Sequence, residues 1–325
     1  MAVVSPGFDA LIGQPQAVEI LTQAIAKQRI APAYLFAGPD GVGRGLAARQ
    51  FLELILRSST SSPQRQPSFQ NHPDLLWIEP TYTVQGKLVT LSELQTKGEQ
   101  PPKSRPQIRL EQVREISRFV SRAPLEALRS LVVLQQAETM NEAAANGLLK
   151  TLEEPGQATL ILIAPSELSL LPTLVSRCQR VPFYRLPPAE LAQVIQQTPY
   201  AELLTHPQIL QMAQGSPGAA INHWQKLQTL PADILQACNP LPSSPRAALE
   251  LARQISQTLD LESQLWLVDY LQQLCWQQAG GGGHNGQAGR SHGWLQVLHR
   301  LEQARQHLLN YAQPQLVWEV TLLEC

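Results

Sequence analysis

Apolar residues follow two kinds of pattern along this chain, and the first kind stops near residue 186. Up to that point, short unbroken apolar runs alternate with stretches in which apolar positions recur every three or four residues. The runs are AYLFAG (33–38), DLLWIEP (74–80), SLVVLQQ (130–136) and TLILIAP (159–165), and the more polar QRVPFYRL (179–186) is the candidate for a short fifth strand. Runs this short, with no polar alternation, predict strands buried on both faces of a parallel sheet. Helical spacing marks QAVEILTQAIAKQ (16–28), RGLAARQFLELILR (44–57), QIRLEQVREISRFVSRA (107–123) and ETMNEAAANGLLKTLEEP (138–155), the last stopped by Pro155. In the second of these, Leu46, Phe51, Leu52, Leu54 and Ile55 are the candidate core residues. TYTVQGKLVTL (81–91) predicts a hairpin, and the Ser/Gln/Pro-rich segments at 58–73 and 95–106 predict exposed loops.

After residue 186 the pattern is helical throughout. Three short helices are expected in PPAELAQVIQQ, AELLTHPQILQMAQG and SPGAAINHWQKL, followed by four longer ones ending in PQLVWEVTLLE. A glycine-rich tether, AGGGGHNGQAGRSHG (279–293), interrupts the longer set. Strands alternating with helices give an α/β fold class with helices on both faces of the sheet. The expected domains are 1–185 (α/β), 186–226 (a small helical lid) and 227–325 (a C-terminal all-α domain).

Composition narrows the picture a little. The 325 residues are 43% hydrophobic and 16% charged, with a formal net charge of -1, so no overall field draws the chain onto nucleic acid. Cys178, Cys238, Cys275 and Cys325 are scattered without a C-x-x-C pair, which suggests neither zinc nor disulfides and fits a reducing, cytoplasmic setting. The N-terminus shows no basic segment leading into an apolar one, so no signal peptide is expected, and no apolar stretch approaches the ~20 residues of a membrane span.

The chemistry concentrates in LFAGPDGVGRGLA (35–47). An apolar strand, then Gly38, Gly41 and Gly43, then a helix, has the form of a loop that cradles phosphate with backbone N–H groups and a helix N-terminus. A working loop continues with a lysine that reaches the phosphates and a hydroxyl that holds Mg²⁺. Here those positions are Arg44 and Gly45. The third strand should end in an acidic pair that holds the metal and polarises water; it ends in Gln135 and Gln136, and Glu138 lies further along. The lid stretch AQGSPGAAI has Pro217 and Gly218 where an arginine for the γ-phosphate would be expected. Each of the three places lacks a group that hydrolysis requires. ATP binding is therefore not expected, and the glycines are read as serving the turn itself.

The stretches MNEAAANGLLKTLEEP and TLILIAPSELSLLPTLVSRCQRVPF, with FDALIGQPQAVEIL, HPDLLWIEP, IRLEQVREI and GSPGAA, resemble the clamp-loader branch of the AAA+ proteins. Within it they are most similar to a subunit that does not itself hydrolyse ATP. The similarity is good over 8–240 and looser in NYAQPQLVWEVTLL. The resemblance implies an AAA+ sheet domain, a lid, and a collar that joins an arc of subunits. It also implies partners: gamma/tau subunits that hydrolyse ATP, a delta subunit, a sliding clamp and primed DNA. The arginine that such a subunit lends to its neighbour's ATP corresponds to Arg177 in Ser176-Arg177-Cys178. Relatives often carry a cysteine cluster for zinc before the second strand; this chain has none there, so no metal is expected.

Other readings stay open on the residues. Arg177 could pair with a carboxylate at a helix end. Arg114, Arg118 and Arg122, four apart opposite Val113, Ile116 and Val120, make either a solvated face or a DNA-facing stripe. Glu153 and Glu154 are read as packing or interface residues, and Cys178 as buried and inert. Two rival functions remain: a divergent active ATPase with Arg44 in place of lysine, and a scaffold without an arginine finger.

Overall fold

The computed structural model of the chain describes residues 7–59, 72–102, 104–242, 244–278 and 291–324. It divides into two compact units, between Leu191 and Ala192. Residues 279–290 of the expected tether and 60–71 of the first loop lie outside the described residues; 291–293 and 58–59 are helical.

The strands of the first unit, among the described residues, are β1 (Ala33–Ala37), β2 (Leu75–Ile78), β3 (Thr81–Val84), β4 (Lys87–Thr90), β5 (Ser130–Leu134), β6 (Ala158–Ala164) and β7 (Gln179–Pro182). Five of them form one parallel sheet in the order β2-β5-β6-β1-β7. β5 and β6 are buried along their whole length, which is why the sequence shows no alternation there. The helices are α1 (Pro15–Ala26), α2 (Arg44–Ser59), α3 (Leu91–Lys97), α4 (Leu110–Val120), α5 (Glu142–Glu153) and α6 (Pro172–Val175). Leu35, Val132, Leu134, Leu160 and Leu162 pack against Val113 and Ile116 of α4 and Ala144 and Leu148 of α5. Tyr34 points to the other face and meets Phe51 of α2 edge-on, ring centroids 5.2 Å apart. Helices therefore cover both faces of the sheet.

β3 and β4 form the expected hairpin, turned by Gln85 and Gly86, both with positive φ (49° and 78°). That pair of left-handed residues matches the twist of the strands it joins.

Four expectations are corrected. LSELQTK, which overlaps the end of the expected hairpin and the start of the expected loop, forms α3. The Thr90 hydroxyl accepts from Glu93 N and the Glu93 carboxylate accepts from Thr90 N, a capping box legible as T-x-x-E. α5 starts at Glu142 rather than at Glu138, because Asn141 caps it through a 2.8 Å bond from Ala144 N. Residues 137–139 make a single 3-10 turn instead. α4 ends at Val120, whose carbonyl the ring of Pro124 four residues on can neither bond nor approach; Arg122 thus leaves the helical face. Leu46 is 42% exposed, while Phe51, Leu52 and Ile55 are buried.

Asp74, 3% exposed, precedes β2 and holds the loop before β5. Its carboxylate accepts from the backbone N–H of Leu125, Glu126 and Ala127, each at 2.7 Å. Burial alone pushes this carboxyl up, but the three N–H donors and His72 together hold it below the usual carboxylate range. Stability from a depressed carboxyl is present above its unfolded value and lost as pH falls through the folded one. Asp74→Asn is expected to cost about 2–3 kcal/mol at pH 7. The gap to the wild type should narrow as pH drops below ~4. Urea unfolding at pH 7 and pH 3 checks this; an equal loss at both would contradict it.

The division between units falls inside α7 (Pro188–Gln196). The second unit is helical throughout its described residues: α8 (Pro207–Ala213), α9 (Pro217–Thr229), α10 (Ala232–Ala237), α11 (Pro245–Thr258), α12 (Leu261–Gln278), α13 (Ser291–Leu309) and α14 (Pro314–Glu324). α11 to α14 close around Trp318. α8, from the expected lid, joins α12 through a 3.1 Å bond from Gln277 to Gln211. Among the described residues no helix is long and apolar enough to cross a membrane.

Candidate functional site

The loop between β1 and α2 has the shape its glycines predict. Gly41 and Gly43 sit at φ 74° and 101°, where side chains are strained. Gly38 is fixed by packing: a Cβ there would lie 2.3 Å from the Phe183 carbonyl oxygen. Gln14, 2% exposed, pins the loop from below. Its amide donates to Val42 O (3.3 Å) and Tyr184 O (2.7 Å), and its carbonyl accepts from Tyr184 N (3.0 Å).

Arg44 opens α2, yet its side chain is only 8% exposed. The guanidinium folds back onto the Asp40 carboxylate in the same loop. Its Nη1 is buried without a hydrogen-bond partner. The cation of this loop thus serves an internal carboxylate, in place of an incoming phosphate. Gly45 supplies no oxygen, and not for want of space: a Cβ there meets nothing within 4 Å.

The end of β5 is equally spoken for. Gln135 Oε1 accepts from the Trp77 indole at 3.0 Å, with the Arg49 guanidinium 5.4 Å above that ring. Gln136 is exposed, in a left-handed conformation, and its carbonyl caps the 3-10 turn at Thr139. Glu138 on that turn has Oε2 buried without a hydrogen-bond partner. Burial pushes its carboxyl up, the like charge of Asp40 adds to this, and Arg44 opposes it. Asp40, Arg44 and Glu138 therefore form one electrostatic cluster, which the sequence reading had not assembled. Its only advance signal was a carboxylate four residues before the cation. A magnesium nucleotide does not fit this donor set: the lysine, the hydroxyl and the acidic pair are missing, and the loop's cation is already engaged. Among the described residues, no three His, Cys, Asp or Glu side chains gather as a metal site.

Ser216 Oγ accepts from Ala219 N at 3.2 Å and caps α9, so Pro217 and Gly218 occupy its first turn. Arg177 follows α6, with its side chain 36% exposed. Its Nη1 donates to Thr173 O (2.9 Å) and its Nη2 to Glu153 Oε1 (2.6 Å). The carboxylate pairing that spacing alone left open is thus present. Glu154 beside it is exposed. Cys178 is half-buried, and burial pushes its thiol up to about 11, which leaves little thiolate at neutral pH. Arg114 and Arg118 share the exposed face of α4 with Glu111 and Glu115; Arg122 is exposed beyond the helix end, so the expected stripe of three is a pair.

Comparison with known proteins gives this geometry its context. Residues 13–187 match the family described as DNA polymerase III, delta subunit, and residues 189–325 match the cyanobacterial DNA polymerase III delta prime, C-terminal domain. DNA polymerase III subunit delta' of Bacillus subtilis is 31% identical over 183 residues, 54% of this chain and 49% of that one. The delta' subunit of Pseudomonas aeruginosa is 33% identical over 239 residues, 68% of this chain and 65% of that one. The chain thus spans between about half and two thirds of the length of these relatives. In fold, a DNA polymerase III gamma subunit-related protein from Thermotoga maritima aligns over 95% of this chain and 97% of its own, with TM-score 0.50 and 18% identity. Family models matching residues 13–187 and 189–325, together with the delta' relative covered over 68% of this chain, place it in the DNA polymerase III delta-prime family.

Proposed function

We propose that this chain is a silent clamp-loader subunit: it hydrolyses no ATP and lends Arg177 to the ATP site of a neighbouring gamma/tau subunit. A delta subunit, a sliding clamp and primed DNA complete the assembly. The observation that carries the silent half is the state of Arg44, buried and paired with Asp40 in a loop whose next residue is Gly45. Arg177 supports the other half. It is the exposed cation of the Ser-Arg-Cys turn, and the donors not used by Glu153 and Thr173 are free for a phosphate. Arg114 and Arg118 are the chain's candidate contribution to holding DNA phosphates.

Glu138 favours a second reading, in which an active but divergent ATPase uses this carboxylate as base, because burial pushes its carboxyl up and its Oε2 is buried without a hydrogen-bond partner. Incubating the purified chain with ATP and Mg²⁺ separates the two. The silent reading expects phosphate release at background and no calorimetric nucleotide binding at millimolar concentration. Turnover abolished by Arg44→Ala would establish the rival. In the same preparation, primed duplex should bind weakly, and more weakly still when Arg114 and Arg118 are changed to serine; unchanged binding would remove them from the DNA surface.

A further inference from the structure

Glu153 is the last residue of α5, where the helix dipole is negative and a carboxylate is unfavourable. Helix stability therefore does not explain it. It lies 2.6 Å from Arg177 Nη2, across 24 residues of sequence, while Thr173 O takes Nη1 from the other side. The next arginine along the chain, Arg180 in β7, has its own carboxylate in Glu167 at 2.8 Å. Each cation is thus matched to a single acid. Two contacts, one on each terminal nitrogen of the guanidinium, fix the rotamer of a long, flexible side chain and leave three of its five N–H donors unused by them.

We propose that Glu153 is a positioning residue for Arg177: it holds the guanidinium in the orientation in which the side chain meets a phosphate on the neighbouring subunit. The inference rests on the reading of Arg177 as an arginine given in trans. The pair is half in water, so its grip is weak. An exposed pair of this kind biases a population about two- to five-fold, enough to favour one rotamer and too little to withhold the arginine from a triphosphate.

The test uses the loader reconstituted from its subunits and primed DNA, with kcat and KM for ATP measured separately. Glu153→Ala is expected to lower kcat about three-fold and leave KM for ATP unchanged. Glu153→Gln, which keeps the shape and one acceptor, should fall between that variant and the wild type. In the Arg177→Ala background, Glu153→Ala should have no further effect. That last readout is one that a merely structural role would not give. Full activity in both Glu153 variants, with activity lost in Arg177→Ala, overturns the positioning role and leaves the finger standing. Unchanged activity in Arg177→Ala removes the finger and this inference with it. A raised kcat in Glu153→Ala means that the carboxylate withholds the arginine, and a further loss in the double variant means that it acts elsewhere; either result overturns the proposal.

Discussion

Arg177→Ala is expected to slow hydrolysis at the neighbouring subunit's site by about 10³, the lower end of what a trans-acting arginine contributes to phosphoryl transfer. The lower end applies because the side chain is pre-positioned only by a surface carboxylate and a backbone oxygen. The same exposure makes the substitution mild for the fold: losing a pair in which Arg177 is 36% and Glu153 52% exposed costs ~1 kcal/mol or less. A thermal melt of the isolated chain should therefore barely move while the reconstituted loader loses activity. Arg177→Lys should recover only part of the rate, since an ammonium keeps the charge but loses the planar fork that bridges two oxygens. Wild-type turnover and clamp loading with Arg177→Ala would leave this chain as a scaffold.

The sheet was legible because its strands are buried on both faces. β5 and β6 had to be unbroken apolar runs, and hardly anything else in a chain of this composition looks like LVVL or TLILIA. The loop was legible for a different reason. Gly41 and Gly43 need φ values that other residues avoid, and Gly38 lies against a carbonyl, so the backbone itself wrote the glycines into the sequence. What spacing could not supply were partners. The Arg177–Glu153 pair joins the end of α5 to the turn before β7, and the Gln135–Trp77 bond joins two strands 58 residues apart. Both arise from sheet register and helix docking rather than from any local pattern. Three helix ends are set by local rules that hydrophobic spacing does not show: Asn141 as a cap, Thr90 and Glu93 as a box, Pro124 as a stop. The last of these moved Arg122 off the face it had been assigned.

Trp318→Ala should unfold the second unit while leaving the first intact. Trp318 is fully buried in α14, packed with Leu251, Ile255, Leu267, Leu301 and Leu322 of the same helical core. Its indole N–H donates to Gln264 Oε1 at 3.0 Å, and the Gln264 amide in turn donates to Leu259 O at 2.8 Å; Gln264 itself is 2% exposed. Truncation therefore does two things. It opens a cavity the size of an indole, and it leaves a buried amide oxygen without a donor. A buried tryptophan truncated to alanine costs about 3–5 kcal/mol, and an orphaned buried acceptor adds about 1–3 kcal/mol. Together these are comparable to the entire stability of a typical domain, ~5–15 kcal/mol. Urea titration should resolve two transitions, with the helical one lost or moved far down and that of the sheet unit in place. Trp318→Phe keeps most of the volume and drops the donor, so it should cost the smaller share, about 1–3 kcal/mol. A loss of under ~1 kcal/mol for the alanine variant would mean that the helices close without this residue. In the loader the consequence is specific. On the proposed reading the helices from 227 onward form the collar, so a Trp318→Ala chain should retain Arg177 on an ordered first unit and yet fail to enter the assembly. Arg177→Ala should do the reverse, assembling normally and stalling at hydrolysis, and the two variants together assign assembly and catalysis to different units of one chain.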